Sequence, residues 1–256
     1  MPPSADSIDP ADSLDSPSSP DSPDSAVLAD PRSFDRFARD YDRFVTLLPG
    51  RNTSWLLGLA PGGGRALDAG CGSGHAALAL ADRYEEVVGV DLSPSLIALA
   101  EATRAHPRVR YLARDLFDLA DPDGFDLVYS HTVLHHLDDC RAGLEHLKRL
   151  VRPGGTVALV DNVCDRYPTP PRRAYTWPAV WNFPRELCRL GPRDAWFQLR
   201  FWHSRSWLDH LLSDRYLSRA GFRALYGSVF PGARFDDLGF ALAMAWTAPE
   251  PSAPGM

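Results

Sequence analysis

The sequence predicts an α/β fold with a doubly wound, mostly parallel sheet, and three observations predict it. The apolar run Arg65-Ala66-Leu67-Asp68-Ala69 passes into a loop with glycine at Gly70, Gly72 and Gly74, then into Ala76-Ala77-Leu78-Ala79-Leu80-Ala81. This is a strand, loop and helix unit whose helix N-terminus faces the loop. A second apolar run, Val87-Val88-Gly89-Val90, ends in Asp91 about twenty residues after the loop, where such a sheet sets a carboxylate on ribose hydroxyls. Two further runs read as a fourth strand, Phe125-Asp126-Leu127-Val128-Tyr129-Ser130-His131, and a turn into a fifth from Leu150 through Gly154-Gly155 to Val160.

Taken in order, residues 1–30 are a separate object. Asp, Ser, Pro and Ala dominate them, and Ile8, Leu14, Val27 and Leu28 are nearly their only sizeable apolar side chains. Such a segment buries too little surface to offset its ordering entropy, so the reading is a disordered tail. It holds seven Asp and no Lys or Arg, against a whole-chain charge of −6, so the remainder carries about +1 and the acidic balance says little about the folded part. Ser33-Phe34-Asp35-Arg36-Phe37-Ala38-Arg39-Asp40-Tyr41-Asp42-Arg43-Phe44 places aromatics at helical spacing behind a candidate Ser cap, and a second short helix is expected at 54–59. Residues 162–212 are too long for an ordinary connection and concentrate Tyr175, Trp177, Trp181, Trp196, Trp202 and Trp207 among arginines such as Arg172 and Arg173. They read as a lid suited to a planar or anionic acceptor, although packing of the same aromatics onto the sheet explains most of them equally. A helix capped by Ser218 runs to Phe230, and residues 249–256 are expected to be flexible.

Composition narrows the class. The chain has 256 residues, no apolar run near the ~20 of a membrane span, and no basic, apolar leader. Its cysteines, Cys71, Cys140, Cys164 and Cys188, form no C-x-x-C pair or zinc-ligand spacing, so reduced thiols in a cytoplasmic setting are expected.

A dinucleotide fingerprint would put its third glycine where His75 stands; the pattern here is D-x-G-x-G-x-G. With Asp91 and the pair Asp115-Leu116 following in order, the chain resembles the class I S-adenosylmethionine-dependent methyltransferases, in the branch that includes ubiquinone and menaquinone biosynthesis, over residues 33–161. The resemblance implies a Rossmann-like sheet with an antiparallel last strand near 233–248, an N-terminal cap helix, and S-adenosylmethionine as cofactor with S-adenosylhomocysteine as product. It implies cofactor contacts at Tyr41, Asp68, Gly70, Cys71, Gly72, Gly74, Asp91, Leu92, Asp115, Leu116, Ser130 and His131. Each has a plainer reading beside it: Asp68 as a helix N-terminal acid, Asp91 and Asp115 as turn residues, Tyr41 as one of a packing stripe, Cys71 as core filler.

The implied chemistry is in-line methyl transfer to an oxygen, nitrogen or carbon of a small-molecule acceptor, with high Ala, Arg and Pro use hinting at a bacterial secondary metabolite. If a base is required, His131 and His136 stand after the fourth strand at the ligand-binding edge, with His135 between them. In the lid, Arg173, Tyr175, Trp177, Trp181 and His203 are the candidate acceptor contacts. No metal site is expected, because no acid or further histidine stands at a supporting spacing. No membrane or nucleic-acid partner is expected: Tyr129-Ser130-His131-Thr132 stands where an amino-methylating nucleic-acid enzyme has an Asn/Asp-Pro-Pro-aromatic motif. A nucleic-acid or peptide methyltransferase, and a cofactor-binding module or cyclase that does not methylate, are the alternatives. Oligomeric state is not legible.

Overall fold

The computed structural model describes residues 31–250, so the expected tail at 1–30 and positions 251–256 of the expected flexible end lie outside the described residues. Strands β1 (Gly63–Ala69), β2 (Tyr84–Asp91), β3 (Val109–Ala113), β4 (Phe125–His131), β5 (Val151–Asn162), β6 (Arg234–Asp237) and β7 (Ala241–Thr247) form one seven-stranded sheet in the order β3-β2-β1-β4-β5-β7-β6. β1 pairs in parallel with both β2 and β4, whereas β7 runs antiparallel between β5 and β6. The chain therefore leaves β1 toward one side and returns at β4 on the other, which opens a crevice at the carboxyl ends of those strands. Ala66, Leu67 and Ala69 are wholly buried, as a central parallel strand covered on both faces requires.

Helices α1 (Ala38–Thr46), α2 (Arg51–Leu59), α3 (His75–Leu80), α4 (Pro94–Thr103), α5 (Cys140–Leu150), α6 (Arg172–Leu190), α7 (Pro192–Trp202), α8 (Arg205–Ser213) and α9 (Arg219–Val229) surround it. Local chemistry sets several starts. Ser93 accepts from the Leu96 N–H with Pro94 at the first helical position, Asp139 accepts from Ala142 N–H, and Ser218 accepts from Gly221 N–H as expected.

The start of the cap helix differs from expectation. A 3₁₀ turn over Pro31–Arg36 precedes α1, which has no side-chain cap. In a 3₁₀ turn residues i and i+3 eclipse, and this brings the Phe34 and Phe37 rings to 5.4 Å on one side, toward Phe201, Trp207 and His210. Phe34, Phe37, Tyr41 and Phe44 join Phe201, Trp207 and Leu211 in one apolar cluster, so the cap helix and the lid form a single aromatic roof. Within the lid, α7 and α8 carry the buried aromatics. α6 folds back on α7 at Gly191 (φ +78°), contains Pro178 and Pro184, and has no fully buried residue. No described helix is long and apolar enough to cross a membrane.

Candidate functional site

The glycine loop hangs from β2. Gly70 and Cys71 donate their N–H groups to Val90 O at 2.7 and 2.9 Å, and Gly72 donates to Asp91 Oδ2 at 2.8 Å. The other Asp91 oxygen accepts from Ser93 N–H at 2.9 Å, so each carboxylate oxygen is oriented by one backbone donor. Burial pushes the Asp91 pKa up, and those two N–H groups oppose it. The glycines divide by role. A Cβ at Gly70 would meet Val133 at 2.1 Å and one at Gly74 would meet Tyr111 Oη at 2.5 Å, whereas at Gly72 (φ +53°) nothing stands within 4 Å. Gly70 and Gly74 admit neighbouring side chains; Gly72 keeps its backbone open to a ligand.

Asp68, below the loop, is 2% exposed, and its Oδ2 has no hydrogen-bond partner. Burial raises its pKa to about 7, while the Ala77 N–H in the first turn of α3 opposes the rise. It is therefore a helix N-terminal acid and also an unsatisfied one. The orphaned Asp68 oxygen, the open Gly72 backbone and the oriented Asp91 carboxylate fit a cofactor that brings a positive group and a ribose. Cys71 is buried and its thiol pKa is pushed well up by burial, which suits packing and not nucleophilic attack.

α1 closes the loop from above. Asp42 accepts from Ser73 Oγ at 2.7 Å and pairs with Arg104 at 2.7 Å and His75 at 3.0 Å, while Arg104 donates to Ser73 O at 3.0 Å. Tyr41, on the same helix, packs its ring 4.7 Å from Phe34 and 5.8 Å from Trp207. Burial, then the fields of Asp91, Asp214 and Asp42, push its phenol pKa up, while its ring packs into the roof. Leu92 is half-buried beside Asp91. Asp115 is exposed and accepts from Phe117 N–H at 2.9 Å, capping a short turn, while Leu116 is buried in the core.

Ser130 needs correction as a cofactor contact. It is 2% exposed and its hydroxyl donates to Ala69 O at 2.8 Å, stitching β4 to β1. His131, the last residue of β4, has its Nε2 2.6 Å from the Asn52 side-chain nitrogen, and burial lowers its pKa to about 4. His136 is turned to Asp214, with Nδ1 3.2 Å from Oδ1, and burial with the neighbouring His135 lowers its pKa. His135, which the sequence left in second place, is the most tightly held. Its Nδ1 bonds Asp161 Oδ1, its Nε2 lies 3.7 Å from Asp214 Oδ2, and the two carboxylates overcome burial to hold its pKa up at about 10.

The lid candidates also need correction. Trp177 is 69% exposed and Trp181 84%, and Arg173 and His203 are exposed as well, so none of the four lines the crevice. α6 packs on α7 instead of on the sheet, which turns the side bearing Arg173, Trp177 and Trp181 to solvent, and His203 stands exposed just past the end of α7. Tyr175 differs: it is half-buried and donates to Leu211 O at 3.3 Å, near Asp214.

Asn52, Asp161, Asp214 and Arg215 were missed. Asp161 was legible in principle, since it ends an apolar strand at the same edge as His131. The others come from α2 or from beyond the lid, where no spacing in the sequence points to the edge. Asp161 and Arg215 line a cavity of about 360 Å³ together with Leu134, His135 and Tyr226.

Comparison with known proteins agrees with this geometry. The family described as "Methyltransferase domain" matches residues 67–159. An uncharacterized methyltransferase of Mycobacterium tuberculosis is 39% identical over 112 residues, covering 43% of this chain and 54% of the relative. A demethylmenaquinone methyltransferase of Clavibacter sepedonicus is 28% identical over 204 residues, covering 75% and 81%. The chain spans about half the length of several of the curated relatives it matches. Among solved structures, the DhpI–SAH complex superposes with a TM-score of 0.58 at 19% identity, covering 88% of this chain and 98% of that one, which is a likeness of fold.

Proposed function

We propose, on the premise that this chain belongs to the class I S-adenosylmethionine-dependent methyltransferases, that it transfers a methyl group from S-adenosylmethionine to a small-molecule acceptor. The observation that carries the reading is Asp91, oriented by Gly72 and Ser93, beside an open Gly72 and above the unsatisfied Asp68. Asp91 would hold the ribose hydroxyls, the glycine loop the methionine end, and Tyr41 the roof over it. When bound, S-adenosylmethionine supplies an electrophilic methyl group, so what remains for the protein is to align an acceptor and, for a hydroxyl acceptor, to take its proton.

The cavity of about 360 Å³ beside His135 carries Arg215 together with Asp138 and Asp161 on its wall and is lined by neither His131 nor the glycine loop, so the acceptor is not placed in it. His131 is the base candidate by its place at the carboxyl edge of β4, where Asn52 fixes the ring, although burial lowers its pKa to about 4 and so weakens it as a proton acceptor. The name of the demethylmenaquinone methyltransferase relative supports a small acceptor of quinone type, and the acceptor of this chain is proposed to be a bacterial secondary metabolite. Calorimetry of the full chain with S-adenosylmethionine tests the premise. Asp91→Ala should weaken binding by about 2 kcal/mol, since two ribose hydroxyls lose a charged acceptor. An unchanged affinity would remove the cofactor from this crevice. Labelled-methyl transfer to candidate acceptors then tests turnover.

A further inference from the structure

Behind the turn that follows β4, two buried acids face a pair of histidines. Asp161 is 4% exposed and Asp214 2%, and among the described residues their ion-pair partners are His135 and His136, with no Lys or Arg joining them. Asp161 takes the Nδ1 side of His135 and also accepts its backbone N–H at 3.1 Å, which fixes the ring. The second nitrogen, Nε2, then faces Asp214 Oδ2 3.7 Å away, across a gap that a proton or a metal ion can fill. A lone pair facing a carboxylate is repulsive unless something positive lies between. Beside it, His136 Nδ1 and Asp214 Oδ1 are 3.2 Å apart, both buried, and neither makes a hydrogen bond of acceptable geometry.

A proton on His135 Nε2 mends one of these two gaps and leaves that between His136 and Asp214, in a buried cluster with the His210 ring beside it and Arg215 on the adjoining cavity wall. A divalent ion mends both and balances both acids. We propose that His135 Nε2, His136 Nδ1 and the Asp214 carboxylate bind a divalent transition-metal ion, Zn²⁺ by the nature of the donors. The three donor atoms lie within 4.8 Å of one another, with His136 Nδ1 3.2 Å from one Asp214 oxygen and His135 Nε2 3.7 Å from the other, against roughly 3.4 Å between ligands held at about 2.0–2.1 Å by a tetrahedral ion. The supporting shell is in place. Asp161 orients the Nδ1 side of one histidine, and Tyr216 Oη donates to Asp214 Oδ2 at 2.8 Å.

The ion ties the residue after α8 to the turn after β4 and leaves a fourth position for water or another oxygen ligand. Sequence spacing argued against a metal because neither an acid nor a further histidine stood at a supporting spacing; the fold brings Asp214 from the end of α8. The inference goes beyond methyl transfer and stands if that reading fails, because its test is binding.

The test uses the full chain, stripped with chelator and titrated with Co²⁺, followed by calorimetry and visible absorption, with Zn²⁺ as competitor. The expected result is one Co²⁺ per chain with a d–d spectrum free of thiolate charge transfer, displaced by Zn²⁺, and a melting temperature that chelator lowers. Asp214→Asn and His136→Gln should each weaken Co²⁺ binding at least a hundredfold, and Asp161→Asn ten- to a hundredfold through the loss of orientation. Failure of the wild type to bind one equivalent overturns the proposal without reference to any variant. So does a thiolate charge-transfer band, which would put the ion on cysteine, or folded variants, checked by circular dichroism, that bind as tightly as the wild type.

Discussion

Asp68→Asn should make the protein more stable at pH 8 and at the same time loosen its hold on S-adenosylmethionine. The carboxyl is 2% exposed, one of its oxygens is unpartnered, and burial raises its pKa from 3.8 to about 7. The sign follows from linkage. Between those two values the folded protein keeps a proton that the unfolded chain has released, so the contribution of Asp68 is fully present below about pH 4 and is lost as pH rises through about 7. Each pH unit in that window is worth up to about 1.4 kcal/mol, which over roughly three units bounds the burden of the ionised group near 4 kcal/mol.

Asparagine keeps the shape and the acceptor for Ala77 N–H but removes the charge. The histidine titrations being common to both proteins, urea unfolding at pH 5 and pH 8 should show the variant gaining on the wild type as pH rises, by about 1–4 kcal/mol at pH 8. Calorimetry at pH 8 should show the opposite trend for the ligand, an affinity loss of about 1.5–3 kcal/mol as a charged acceptor disappears. A difference between variant and wild type that does not change between pH 5 and 8 would refute the burial argument. Equal cofactor affinity in the two proteins would refute the assignment of the orphaned oxygen to a ligand.

Three further outcomes are expected. Gly72→Ala puts a methyl group into open space at φ +53°, so it should cost about 1 kcal/mol of stability while weakening S-adenosylmethionine binding by tenfold or more; isothermal titration with the unfolding midpoint checks both. His131→Ala should lower kcat for a hydroxyl acceptor by on the order of 10²-fold and leave cofactor affinity unchanged, and a kcat equal to wild type would take the base elsewhere. Trp181→Ala, at a side chain 84% exposed, should change stability by less than about 0.5 kcal/mol and leave the acceptor KM as it was; a raised KM would bring α6 back over the crevice.

The sequence by itself determined the sheet and its cofactor edge. Strand β1, the glycines, Asp91 at the end of β2 and the Ser218 cap were all legible, because each is encoded within a few residues by periodicity, positive-φ demand or a capping side chain. The antiparallel last strand was legible only through resemblance. Tertiary structure alone decided the rest. Which lid aromatics are inside was fixed when Phe44 met Phe201 at 4.6 Å and α6 was left on the outer layer, a choice between two apolar faces that composition does not make. Ser130 carried a plausible hydroxyl, but the β1–β4 pairing claimed it. The roles of the histidines depended on partners distant in sequence, Asn52 for His131 and Asp161 with Asp214 for His135 and His136. Charge compensation in a buried site acts through distances of a few ångströms, and those distances exist only once α8 has packed its end against the turn after β4.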